Sequence, residues 1–339
     1  MKKNWKNTEI DFVDASSTLP IYKQIVNTIE RLINEKVLTL KDQLPSINQI
    51  AGNYGLSRDT VIAAYSELKN KGVIEAAPGK GYFVKSLITE HKQRIFLFFD
   101  EFNAFKEDLY NAFVENLGKN AVVDIFFHHF NHDVFKKTIE DKAGKYTHYV
   151  LMPANLRKTQ EIISVLPEDK VYILDQTNNE LKKYPSIYQN FKNDCFTALS
   201  KAENHLKKYQ KIVLAFPKTK EPVGIKNGFK LFCKTKDIDH DILTKIKPEN
   251  IAKSTAYLTI NDNDLVELIL TAKQLNLKIG EDIGIISYNE TALKAVAANG
   301  ITTISTDFKL MGKQLAQIVL NNQFQHIENP SNLILRNSL

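Results

Sequence analysis

Over the first eighty-five residues the apolar positions fall into three helical stripes followed by two short runs. Ile21, Ile25, Ile29 and Leu32 recur at helical spacing, widened by Val26 and Ile33, and predict a helix over residues 20–36. Ser46 and Gln49 fit the Ser-x-x-Gln capping box with Pro45 just ahead, so a second helix starts there and stops at Gly55. Ser57 is a good N-cap for a third, which carries Val61, Ala64, Tyr65 and Leu68 on its core side and closes at Gly72. Val73-Ile74 and Tyr82-Phe83-Val84 then predict two strands around the turn-rich tip Ala77-Pro78-Gly79-Lys80-Gly81. A polar arm (residues 1–11) precedes this module, and a polar linker (86–93) follows it.

From Arg94 the pattern switches to apolar runs alternating with helical stretches. RIFLFFD, VVDIFF, HYVLMP and VYILD are strand-like, with helices expected near 105–117, 133–142 and 158–166. The cycle restarts with KIVLAF, AYLTI and IGIISY, and helices near 196–209, 224–234 and 264–275. Uninterrupted apolar strands alternating with helices imply parallel sheet covered on both faces. The predicted fold is therefore multi-domain: an α+β winged helix-turn-helix over 12–85, then a two-lobed, doubly wound α/β domain over 94–339. In such bodies small ligands bind beyond the carboxyl ends of the strands, between the lobes.

Charge adds little to this. The 339 residues carry a net charge of +6, and residues 1–85 hold twelve Lys and Arg against nine Asp and Glu. That tilt allows a polyanionic partner but leaves its recognition to placement rather than to bulk charge. The N-terminal end of the third predicted helix supplies such placement. Arg58 can fork onto guanine or phosphate, Thr60 can reach a base or phosphate, and Lys80 rides at the wing tip. Cys195 and Cys233 have no metal spacing and are expected to be buried thiols. His128 and His129 lack a third ligand at metal spacing. The N-terminus has no signal-peptide core and no run is long enough to span a membrane, so a cytoplasmic protein is expected. No phosphate-binding glycine loop, Gly-x-Ser-x-Gly or His-Glu-x-x-His occurs, so neither enzyme nor cofactor is expected.

IYKQIVNTIERLI, LPSINQIA, LSRDTVIAAYSELKNKG and GKGYFV together resemble the winged-helix domain of GntR-type bacterial regulators. The resemblance implies that Ser46, Ser57, Arg58, Thr60, Lys80 and Gly81 meet double-stranded operator DNA. Two positions depart from the pattern: Asn48 and Ile62 stand where basic residues are usual. The stretch from Thr259 to Leu320 is similar to the effector domain of lac-repressor-type regulators and their periplasmic sugar-binding relatives. That likeness implies three crossings between lobes, near Tyr188, near Ser305-Thr306 and after Asn321. Lobe 1 would then hold about 94–188 and 306–321, and lobe 2 about 189–304 and 322–339. By position it also implies an effector site of Asp175, Asn261 and Asn289 with aromatic walls Phe105 and Phe308. Asp and Asn at strand ends suit sugar hydroxyls, which both donate and accept. Here too the chain departs, with Ile225 where many relatives place an Arg and Asn289 where an acid is common. The combination resembles regulators of arabinose and fucose use and implies a homodimer sensing a monosaccharide, such as a pentose or 6-deoxyhexose. The competing expectation is a small-molecule-binding protein whose winged helix makes only protein contacts.

Overall fold

The computed structural model describes residues 12–14, 19–87, 93–217 and 220–339, so all of the expected arm (1–11) and most of the expected linker (86–93) lie outside the described residues. The chain divides into two compact units, residues 1–92 and 93–339.

In the first unit α1 (Ile21–Asn34), α2 (Ile47–Tyr54) and α3 (Arg58–Asn70) precede β1 (Ile74–Ala77) and β2 (Gly81–Val84), which pair antiparallel. The caps form as the sequence predicts. Ser46 Oγ accepts from Gln49 N at 3.2 Å while Gln49 Oε1 accepts from Ser46 N at 2.7 Å. Gly55 adopts φ +63°, the left-handed turn that lets the chain leave α2 and enter α3. The apolar stripes of all three helices, with Val73, Ile74 and Val84, make one core. Lys23–Glu67 (2.9 Å) and Lys71–Glu30 (2.8 Å) bracket the α1–α3 seam.

The second unit holds two six-stranded sheets. The first half runs β3 (Gln93–Phe99), α4 (Ala104–Leu117), β4 (Ala121–Phe127), α5 (His132–Lys142), β5 (His148–Leu151), α6 (Thr159–Ile163), β6 (Val171–Asp175) and β7 (Ser186–Tyr188). The second runs α7 (Phe191–Lys201), α8 (Glu203–Leu206), β8 (Lys211–Ala215), α9 (Val223–Lys236), β9 (Asp239–Leu243), β10 (Thr255–Thr259), α10 (Asp262–Gln274), β11 (Ile283–Tyr288), α11 (Ala292–Val296) and β12 (Thr302–Thr306). The chain then returns through α12 (Phe308–Leu320), β13 (His326–Glu328) and β14 (Ser331–Ile334). Lobe 1 has strand order β13-β7-β6-β5-β3-β4 and lobe 2 has β14-β12-β11-β10-β8-β9. Every pairing is parallel except β12 with β14.

Two details differ from the expectation. β13 pairs with β7, so residues 326–328 extend the lobe 1 sheet and the third crossing lies after Glu328 rather than after Asn321. The helix expected over 196–209 begins earlier, at Phe191, where the Asn190 side chain caps it, and breaks into α7 and α8. Glycine lets the helices close on one another. A Cβ on Gly312 of α12 would land on the Leu109 carbonyl of α4, and one on Gly228 of α9 on the Lys192 carbonyl of α7. The crossings are knotted by Asn329, which is fully buried. Its N–H donates to Tyr188 O (2.8 Å) on the first crossing. Its carboxamide donates to Thr306 Oγ1 (2.8 Å) and Asp307 O (3.0 Å) on the second.

Candidate functional site

Two regions gather polar side chains that the folds do not consume. In the first unit, the Ser57 hydroxyl caps α3 by accepting from Thr60 N (3.2 Å) and also lies 2.8 Å from Thr60 Oγ1. Ser57 and Thr60 are thus partly occupied in shaping the helix start. Arg58 is exposed in the first turn of α3, and Ser46 is exposed at the start of α2. Lys80 and Gly81 are exposed on the β1–β2 turn, where the Lys80 carbonyl accepts from Gln43 Nε2 (2.7 Å) and pins the wing to the strap before α2. Ile62, one turn along from Arg58, is 39% exposed and presents an apolar surface where a base methyl could pack.

In the second unit the loops at the carboxyl ends of both sheets meet. Asn155, after β5, donates to Lys220 O and Glu221 O, each at 3.1 Å, in the loop after β8. The Lys220 ammonium pairs with Glu101 (3.1 Å), after β3, and sits 5.1 Å from the centre of the Phe130 ring. Behind this rim lies a charged set: Asp100 pairs with Lys106, both almost fully buried, and Asp175 lies close enough to feel both. Burial pushes the Asp175 carboxyl up to about 6, against the pull of Lys106. Burial, reinforced by Glu101, lifts Glu221 to about 7. Asp175 takes φ +71° and Asn289 φ +61°, so the ends of the equivalent strands β6 and β11 both carry left-handed residues. Asp and Asn tolerate that conformation better than other side chains, and such outliers gather where geometry matters for function.

The structure treats the five expected effector residues differently. Asp175 is buried and bonded to Gln189. The Asn289 carboxamide has no partner among the described residues, while its backbone N–H donates to Ile304 O (2.8 Å). The Asn261 side chain caps α10, accepting from Asp264 N (2.9 Å) and donating to Asp264 Oδ2 (2.8 Å), which leaves one N–H and one lone pair. Phe105 and Phe308 stack on each other at 4.8 Å. Phe308 is buried in the lobe 1 core and Phe105 is half-buried at its margin. Ile225 is core, and Lys226 lies against the Phe216 ring.

Sequence reasoning passed over Asp100, Lys106, Glu221 and Lys294, because a charged side chain that the fold buries has the same local sequence pattern as a solvated one. His128 is buried with Nε2 2.9 Å from Met152 O, and burial holds its pKa down. Cys195 and Cys233 are buried, with burial pushing both thiols up to about 12. Among the described residues no group of His, Cys, Asp and Glu could hold a metal ion, and no helix is long and apolar enough to cross a membrane.

Comparison with known proteins follows the same division. Residues 21–84 match the family of bacterial regulatory proteins, gntR family, and residues 205–339 match the periplasmic binding protein-like domain. The HTH-type transcriptional repressor YtrA of Bacillus subtilis is 33% identical over 72 residues, 21% of this chain and 55% of that repressor. The chain thus covers only about half of that relative. A LacI family transcriptional regulator from Silicibacter pomeroyi superposes on 73% of this chain and 98% of its own, with a TM-score of 0.63 at 12% identity. One from Enterococcus faecium, solved with bound ribose, covers 73% and 98% with a TM-score of 0.59 at 16% identity. Residues 21–84 are therefore a GntR-family helix-turn-helix domain, and the chain behind them has the periplasmic-binding-protein-like fold of LacI-family regulators.

Proposed function

We propose that the protein is a transcriptional regulator that binds operator DNA through its winged helix and a sugar between the lobes of its second unit. The observation that carries this is the joining, in one chain, of an exposed Arg58 on a capped α3 to a unit of two sheets whose carboxyl-end loops meet, with Asp175 and Asn289 at equivalent strand ends. Ser46, Ser57, Arg58, Thr60, Lys80 and Gly81 would meet the duplex, with Arg58 in the major groove and Lys80 along the backbone. Asp175 and Asn289 would hold hydroxyls, Asn261 would add its one remaining N–H, and the Phe105 edge would cover an apolar sugar face. The buried Phe308 would support that wall from behind. The effector is a monosaccharide of the pentose or 6-deoxyhexose kind, and the operon controlled serves carbohydrate use.

The working form is a cytoplasmic, non-catalytic homodimer on a pseudo-palindromic operator, because one small winged helix offers little contact area. Effector binding shifts the balance between open and closed lobes only by its differential affinity for the two, typically about 1–3 kcal/mol of coupling. Gel shifts against operators selected from a random duplex library test the DNA reading. Arg58→Ala should weaken binding by about 1–3 kcal/mol, with a reduced salt slope. Selection that enriches no sequence, or an unchanged Arg58→Ala, defeats it and leaves a head used for protein contacts. Thermal shift over D-ribose, L-arabinose, L-fucose and lactose tests the sugar reading, since a bound ligand raises the midpoint by mass action.

A further inference from the structure

Lys294, the third residue of α11, is 4% exposed although it carries a full charge. Its ammonium has three N–H groups and three acceptors: Tyr288 O (2.7 Å), Asn289 O (3.0 Å) and Asp262 Oδ1 (3.0 Å). Two of these belong to the turn after β11, which carries the left-handed Asn289. The third begins α10, directly after Asn261. One side chain thus ties the two lobe 2 segments that follow the carboxyl ends of β10 and β11. The helix that bears it is itself held, since Lys294 N donates to Thr291 O (3.1 Å) and Lys294 O accepts from Ile301 N (2.8 Å). Burying a lone ammonium is costly, and an apolar side chain of the same length could fill the space without that cost. What an apolar chain could not do is hold two carbonyls and a carboxylate in one arrangement. The β11 turn needs such a tie: a left-handed residue just past a strand end relaxes unless its neighbours over-determine it.

We infer that Lys294 is a positioning residue of the effector site, fixing the Asn289 turn against the Asn261–Asp262 turn so that lobe 2 meets its ligand preformed. The inference rests on the sugar-sensing reading for the identity of the ligand but not for the tie itself. The test is amide hydrogen exchange on the full chain for wild type, Lys294→Met and Lys294→Arg, with the same four sugars titrated by thermal shift. Lys294→Met should speed exchange about tenfold or more in residues 261–264 and 288–291, leave β8 at the wild-type rate, and weaken any binding sugar about tenfold. Lys294→Arg should recover most of both. If Lys294→Met does not fold, Asp262→Ala removes one arm of the tie at an exposed carboxylate and should loosen the same two turns. Uniform loosening of lobe 2, or two unaltered turns, overturns the inference. If no sugar shifts wild type, the sugar reading fails while the exchange pattern still decides the role of Lys294.

Discussion

Asp194 offers a sharp test of how burial and like charge act at the joint between the lobes. It lies in the first turn of α7, just past the first crossing, is 9% exposed, and its Oδ2 has no hydrogen-bond partner among the described residues. Glu328, at the end of β13, presses on it electrostatically, and the Cys195 thiol and Tyr288 phenol share its surroundings. Burial first, then Glu328, lifts its carboxyl from 3.8 to about 7. The folded protein therefore binds a proton there more tightly than the unfolded chain does. The sign follows: this site weakens the fold progressively as pH rises from about 4 through 7, and does no harm below that range. Full ionisation at pH 8 costs on the order of 4 kcal/mol relative to pH 4, less whatever local relaxation recovers. Asp194→Asn removes the charge and nearly keeps the shape. At roughly 2–4 °C per kcal/mol for a unit of this size, the variant should melt at least about 5 °C above wild type at pH 8. At pH 3 the two should melt within about a degree, because the wild-type carboxyl is then protonated in both the folded and the unfolded chain. Thermal unfolding followed by circular dichroism at both pH values decides it. A gain of equal size at both, or none at pH 8, refutes the account.

Two further substitutions separate backbone crowding from capping. Gly312→Ala should destabilise the second unit by about 1–3 kcal/mol even though alanine is the better helix former, because the new methyl meets the Leu109 carbonyl of α4; a urea midpoint at or above wild type would contradict this. Ser46→Ala should cost the first unit about 1 kcal/mol by opening the capping box at α2, whereas Ser46→Gly should cost only a few tenths; the comparison of their unfolding midpoints is the check.

Much of the architecture was legible because its signals are local. Capping at Ser46 and Ser57, the left-handed turn at Gly55 and the continuous strands RIFLFF and IGIISY each depend on residues a few positions apart. Their reading needs only chain periodicity and turn chemistry. Legibility failed where exposure blurs the pattern: β9 is an edge strand with the charged sequence DHDIL, half-exposed throughout, and it lacks the apolar run that marks an interior strand.

The candidate site divides along the same line. The strand-end places of Asp175 and Asn289 follow from where an apolar run stops, whereas their part in an effector site was implied only by the lac-repressor-type likeness. That Phe308 turns into the core to stack on Phe105, or that Asn261 spends its carboxamide on a helix cap, follows only from three-dimensional neighbours. So do the pairings of Lys106 with Asp100 and of Lys294 with the turns at 262 and 288–289. The late third crossing has a similar cause, since β13 joins lobe 1 by pairing with a strand about 140 residues earlier. Short-range order fixes which elements form and where they cap. Which polar groups are used up inside the fold, and which remain to meet a ligand, is settled only when distant segments pack and desolvate one another.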